Sequence, residues 1–577
     1  MTAMSGSHAA VFALNAMGEM RMKPRRHGFQ ILAICLFGLV MRPAKLPAQA
    51  FVVTTPSATE LADEIETAIK SAALDHEPAG ETVLAVLKQL KLGAILTGLD
   101  RARGLSLAIS FPKDSPQGGP PTAVLAVPVS NLGQLMDSLK ALGLAVDDQP
   151  GVPGFSHKVV GPNGNPTTFV LESKGYALCT PIPVPVETLQ AIDPASWRPK
   201  GRPDQALRVL IRPSEVPEPV KQQFLENMGA RNAKDRERRP GEPKAAYRSR
   251  MNGLDLAERF FKVLVREGKE IALELDVNKK TSRLTLEAAV SALPNTSMAT
   301  TLRAMDGRRS RFQSLPQDSV AAAWGNFGMP NELRDMCLLE IDNQWKALLD
   351  KAPNADEKKA LRRTAELLRA FLNQPALDLG AAIRHIKKPG GGDAHAVLLI
   401  GLKVPNGREF DQHLRDLAVV TKPLDKVKVT YDIAKGPGGA AIHKLSGIFD
   451  ENDARVVKRF GKPSVFLAAR DDAILVAFGE DGLQALEDAL AKLSEPSAPV
   501  SVAPMAAVAR LASMVNFIDP QNPQVGQIVA QVYPARSEKR DRMSIDLKER
   551  GEATVLHLAI DLPAIGLLRQ VVPLMPR

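Results

Sequence analysis

Two stretches of the chain carry the same pattern of apolar and polar positions. TAVLAVPVSNLGQLMDSLKAL (122–142) and HAVLLIGLKVPNGREFDQHLRDL (395–417) each pass from a strand-like apolar segment into apolar residues at helical spacing. In the first, Leu132, Leu135, Met136, Leu139 and Leu142 fall at i, i+3, i+4, i+7 and i+10, one face of a helix. In the second, Phe410, Leu414 and Leu417 mark the corresponding face. Aligning Ala123 with Ala396 puts the repeat at a distance of 273 residues.

The pattern on either side extends the repeat. Ser57-x-x-Glu60 is a capping box, and Leu61, Ile65 and Ile69 follow on one helical face. A helix near 81–92 and strands over 104–112 and 121–129 come next. Beyond the helix at Leu132, a hairpin over 167–183 turns at Lys174-Gly175, a short helix covers 184–192 and a strand covers 206–213. Two helices bracket 231–250, strand, turn and strand follow at 271–290, and a short helix lies around Thr300.

The second half runs in the same order. It has a strand at 319–327, a helix with Leu338, Ile341, Trp345 and Leu348 on one face, and a helix at 356–373. Strands at 376–386 and 394–404, the helix of Phe410 and a hairpin at 464–478 follow. Leu483, Leu486, Leu490 and Leu493 line the next helix, 542–560 reads as strand, turn and strand, and IGLLRQVV supplies the last helix. Agreement of so many elements in order argues for internal duplication. The predicted fold is α+β, with two tandem homologous lobes at 51–310 and 315–577. Each is a largely antiparallel twisted sheet with helices packed on one face.

Composition narrows the class. The 577 residues are 45% apolar and 24% charged, the balance of a globular protein with two to four domains. Aromatic residues are only 5%, which argues against a ring-stacking platform for sugars or single-stranded nucleic acid. The net charge of +10 is concentrated at the start: residues 1–50 hold six Lys/Arg and one acid, leaving 68 against 63, or +5. No nucleic-acid partner is implied.

That basic start has a form of its own. MKPRRHGFQ (22–30) precedes an eleven-residue apolar run, ILAICLFGLVM (31–41), too short to span a bilayer. Ala48-Gln49-Ala50 then has the small-x-small form of a cleavage site. Together these read as a signal peptide within 1–50, with a mature chain from Phe51 and with Met20 or Met22 as alternative starts. Arg25-Arg26 lacks the spacing of a twin-arginine signal, and Ile34 is too large for the lipoprotein box that Cys35 suggests. No transmembrane span is expected in the mature chain, and the predicted location is periplasmic or extracellular.

Linear motifs for chemistry are missing. There is no Gly-x-Ser-x-Gly and no His-Glu-x-x-His. Ser110-x-x-Lys113 contains Pro112, which bars the helical turn that a Ser–Lys pair requires. The glycine-rich segments 161–166, 388–393 and 435–440 lack the phosphate-loop lysine and read as hairpin turns. His385 and His395 flank one turn but have no third zinc ligand, and Asp450-Glu451-Asn452-Asp453 lacks calcium-loop spacing. The tract 231–250 sets eight Lys/Arg against three acids, either an anion-binding patch or a solvated helix connection. Cys179 and Cys337 lie among apolar neighbours on non-equivalent elements and are expected as separate buried thiols.

No catalytic, cofactor-binding or metal-ligating residue is assigned, and no cofactor is expected. The reading is an exported, non-enzymatic binding or scaffolding protein for an unidentified ligand or envelope protein partner. The alternatives are an extracytoplasmic hydrolase whose site assembles only in three dimensions, and an inhibitor or envelope-assembly partner.

Overall fold

The computed structural model describes residues 49–71, 78–92, 96–111, 121–161, 167–198, 207–305, 308–315, 319–328, 331–351, 354–385, 395–420, 428–447, 453–494, 503–518, 523–533 and 540–571. In chain order the first elements are β1 (Gln49–Ser57), α1 (Ala58–Ser71), α2 (Pro78–Leu92), β2 (Gly104–Ser110), β3 (Thr122–Pro128) and α3 (Leu132–Ala141). Next come β4 (Ala145–Asp147), β5 (His157–Val160), β6 (Thr167–Ser173), β7 (Tyr176–Thr180) and α4 (Val186–Gln190). Then follow β8 (Leu207–Ile211), α5 (Glu218–Asp235), α6 (Lys244–Glu267), β9 (Gly268–Asn278), β10 (Arg283–Ala292) and α7 (Ser297–Ala304). After these stand β11 (Ser319–Phe327), α8 (Asn331–Lys351), α9 (Ala355–Leu372), β12 (Leu377–His385), β13 (Ala396–Lys403) and α10 (Gly407–Val420). The chain continues with β14 (Lys428–Lys435), β15 (Ala441–Ser446), α11 (Ala454–Phe460), β16 (Val465–Arg470), β17 (Ala473–Phe478) and α12 (Gly482–Ser494). Last are β18 (Met505–Arg510), α13 (Leu511–Ile518), α14 (Pro523–Val532), β19 (Arg542–Arg550), β20 (Ala553–Asp561) and α15 (Leu562–Val571).

The described residues fall into two compact units. One draws on 49–66, 78–198 and 566–571, the other on 67–71 and 207–565, so the second unit takes in strands from both sides of residue 310.

In the first unit the strands pair antiparallel in the order β1-β2-β3-β7-β6-β5-β4. The capping box forms as its spacing predicts: the Glu60 N–H donates to Ser57 Oγ (3.1 Å) and the Ser57 N–H to Glu60 Oε2 (3.2 Å). Lys174 and Gly175 both adopt positive φ, the two-residue turn that closes β6 onto β7. Asn131 caps α3 through its side chain, and Leu132, Leu135 and Met136 pack with Val170 and Ala177 of the sheet.

In the second unit the antiparallel order is β8-β9-β10-β20-β19-β18-β11-β12-β13-β17-β16-β15-β14. Its core lies at the β12–β17 end. Leu486 and Leu490 of α12 cluster there with Leu475, Ala468 and Ile442. Phe312, fully buried, lies across Gly380 and Gly401, which are partners in register on β12 and β13.

Two expectations need correction. The helices were expected on one face of each sheet, but in the second unit they cover both. On β15, Ile442 belongs to the α12 cluster while its neighbour His443 reaches Asp411 of α10 on the opposite side. The cause is in the strands: VFLAAR and AILVAF (β16 and β17) do not alternate, so each side must be covered. Secondly, β1, β4, β5, β14, β15, β18, α11, α13 and α14 were not anticipated. Segments such as HKVV and KVTYDIAK are short or half polar, so their local periodicity is weak.

Candidate binding surface

Strands β9, β10, β20 and β19 read IALELDVN, RLTLEAAV, ATVLHLAID and RMSIDLKER, alternating leucine or isoleucine with charged residues over much of their length. Such alternation separates an apolar face from a polar one. Register joins the apolar positions into rows. Leu275 stands opposite Leu286, Leu286 opposite Leu558, Leu558 opposite Ile545, and Ile545 opposite Ala507. A parallel row runs Leu273, Ala288, Leu556, Leu547, Met505.

This apolar face is the more open one. Leu273, Leu286, Leu556, Ile545 and Met505 are all exposed, Leu556 at 45%. The charged face is the more enclosed. Its row runs Arg208, Glu274, Glu287, His557, Asp546 across five strands. Arg208 Nε lies 3.1 Å from Glu274 Oε1, Arg550 Nη2 2.7 Å from Glu287 Oε2, and His557 Nδ1 3.1 Å from Asp546 Oδ2. Arg208 and Arg550 therefore compensate Glu274 and Glu287 on this face.

A separate cavity of about 510 Å3 lies between α8 and α9. Trp345, Lys346, Arg362 and Glu366 are among its lining residues, and Asp342 and Arg369 pair across it. The Trp345 Nε1–H donates to the Leu361 carbonyl (2.6 Å) and ties the two helices together.

Buried ionisable groups elsewhere are held by their neighbours. The Asp432 N–H donates to His443 Nδ1 (3.1 Å), which leaves the ring proton on Nε2, 2.5 Å from Asp411 Oδ1. Arg415 bonds both Asp411 and Asp432 and stacks over Tyr431. His443 is fully buried, with both ring nitrogens hydrogen-bonded within the protein. Asp378 accepts from the Ser310 hydroxyl (2.7 Å) and the Arg311 N–H (3.0 Å); burial nonetheless holds its carboxyl above the usual range. Burial also raises Asp541 and lowers His413.

The residues singled out from sequence are scattered. Ser110 is buried on β2, and Lys113 lies outside the described residues. His385 pairs in register with Ala396, while His395 Nδ1 sits 3.2 Å from Glu480. Segments 162–166, 386–394 and 448–452 lie outside the described residues, whereas 435–440 forms the β14–β15 turn, with Gly438 and Gly439 at φ +75°. In the tract 231–250, Arg236 pairs with Asp255 and Glu258, and Arg250 with Glu242. Cys179 and Cys337 are free thiols: Cys179 packs against the Val170 and Ala177 cluster with only part of the residue exposed, and Cys337 is half-buried on α8. Among the described residues no group of three or more His, Cys, Asp or Glu is placed to hold a metal, and no helix is long and apolar enough to cross a membrane. The apolar face itself was not singled out from sequence; its signal was the alternation, which is silent on which side is covered. Comparison with protein-family models, with curated proteins and with solved structures gives no match.

Proposed function

We propose that this chain is an exported, non-enzymatic binding or scaffolding protein, with the apolar face of β9, β10, β20, β19 and β18 receiving an apolar partner surface such as that of another envelope protein. The observation that carries this reading is the exposure of Leu273, Leu286, Leu556, Ile545 and Met505 in register on one face. An apolar area spread over several strands suits a partner that covers it broadly.

The reading includes the internal duplication. Its support is the shared strand order: β1-β2-β3-β7-β6-β5-β4 in one unit and β11-β12-β13-β17-β16-β15-β14 in the other. Asn131 and Asn406 each cap the helix after the third strand, 275 residues apart, the same distance that separates Leu125 and Ile400, which head corresponding rows across β7 and β17. The alignment of Ala123 thus moves by two residues, from Ala396 to Leu398. Followed outward along the ladders, His157 and His443 take the same position, each beside a carboxylate. For the exported state the support remains the basic and apolar pattern of 22–50; cleavage after Ala50 leaves β1 running from Phe51.

The test is the binding of Nile red, an uncharged apolar probe, to the purified chain. Saturable binding is expected, weakened at least about tenfold by Leu286→Glu with Leu556→Glu in a variant that still unfolds cooperatively. Absent binding, or binding indifferent to the two glutamates, overturns the reading.

A further inference from the structure

Helix α6 carries a second surface, separate from the sheet. Its inner side is fastened: Arg236 bonds Asp255 and Glu258 (2.7 Å each), the Tyr247 hydroxyl donates to the Arg236 carbonyl (3.1 Å), and Arg250 bonds Glu242 (2.7 Å). These contacts hold α5 and α6 as a hairpin. They also use two of the arginines that made the tract 231–250 look basic.

The outer side is different. Gly253, Leu256, Ala257 and Phe260 fall at i, i+3, i+4 and i+7 and are all exposed, Phe260 at 59%. Phe261 is exposed beside Phe260, and Phe224 is exposed on α5. Along one border of this stripe run Arg248, Arg259 and Arg266, spaced by 11 and 7 residues, close to three and two helical turns.

The charges on α6 do not cancel. Its acids are Asp255, Glu258 and Glu267; the first two hold Arg236, and Glu267 accepts from the Ser297 hydroxyl and the Met298 N–H. Lys244, Arg248, Arg259, Lys262 and Arg266 are exposed and form no ion pair with a described residue. An exposed apolar stripe bordered by unpaired cations is the pattern of a helix that lies in the plane of a membrane interface.

We infer that α6 docks the protein on an anionic bilayer surface, with Leu256 and Phe260 entering the headgroup region and the arginine row against lipid phosphates. Charge complementarity selects this occupant: a neutral apolar partner gives the arginine row nothing to bind, and a soluble polyanion gives the phenylalanines nothing to enter. The inference stands apart from the role of the sheet face.

Vesicle flotation of the purified protein tests it, with vesicles of phosphatidylcholine alone or with 30% phosphatidylglycerol. Binding is expected only with the anionic lipid and is expected to weaken with salt. Replacing Arg248, Arg259 and Arg266 together by Gln should reduce partitioning on the order of 100-fold. Phe260→Ser should reduce it about tenfold. All four side chains are exposed, so the unfolding midpoint should hold and serves as the control for folding. Equal binding to neutral vesicles, no binding at low salt, or a triple variant that binds as the parent does would overturn the inference. Loss with the arginine variant but none with Phe260→Ser would replace the bilayer by a soluble anionic polymer.

Discussion

Leu273 and Glu274 are neighbours on β9, yet the leucine is 38% exposed and the glutamate 8%. The usual ranking of core and surface substitutions is therefore inverted on these strands. Leu273→Ser is expected to cost about 1 kcal/mol or less. Glu274→Ala leaves Arg208 enclosed without its carboxylate and is expected to cost about 3 kcal/mol. Urea unfolding measures both; the opposite ranking would mean that the apolar face is covered in solution.

Phe312 rests on Gly380 and Gly401. A Cβ at Gly401 would stand 2.3 Å from the ring, and both residues are buried. Gly401→Ala should destabilise the second unit by about 1–3 kcal/mol. In a Phe312→Ala background the same substitution should cost much less. Equal costs in the two backgrounds would show that the ring does not lie there.

Asp378 gives a signed dependence on pH. Burial raises its carboxyl pKa, and the hydrogen bonds from Arg311 N–H and the Ser310 hydroxyl only partly offset this. The folded chain thus holds the proton more tightly than the unfolded one. The stability from this group is complete below the unfolded value, about 4, and is lost as pH rises through the folded one. Asp378→Asn cannot ionise, so its deficit relative to the parent should be largest near pH 3.5 and smaller at pH 7. A deficit that grows with pH, measured by urea unfolding at both values, contradicts the raised pKa.

Burial pushes the Cys179 thiol up to about 12, which leaves almost no thiolate at neutral pH. Cys337 is half-buried on α8. Native alkylation at pH 8 should mark Cys337 first, and unfolding should expose Cys179. Mass spectrometry of the unfolded, unreduced chain should find two alkyl groups, since both thiols are free. A two-dalton deficit with no label would mean a disulfide.

If residues 22–50 direct export, sequencing the N-terminus of exported material should read Phe-Val-Val from Phe51. Recovery of any residue from 22–50 on that material removes the proposed cleavage.

Local pattern determined a good part of this protein. The capping box at Ser57, the Lys174-Gly175 turn, the helix from Leu132 and the strand pairs near 271–290 and 542–560 were legible because each is decided within a few residues of chain. Weakly patterned segments such as β5 and β14 form because neighbours pair with them, which no local signal records. The exposed face had no local signal either. Alternation divides Leu273 from Glu274 and Leu556 from His557, but a strand's two sides are equivalent until another element covers one. Tertiary structure made that choice, enclosing the charges and leaving the leucines open. On the α5–α6 hairpin, likewise, the sequence supplied both arginines and acids, and only the fold decided that Arg236 and Arg250 would be consumed inside the hairpin while Arg248, Arg259 and Arg266 stayed free on its outer side.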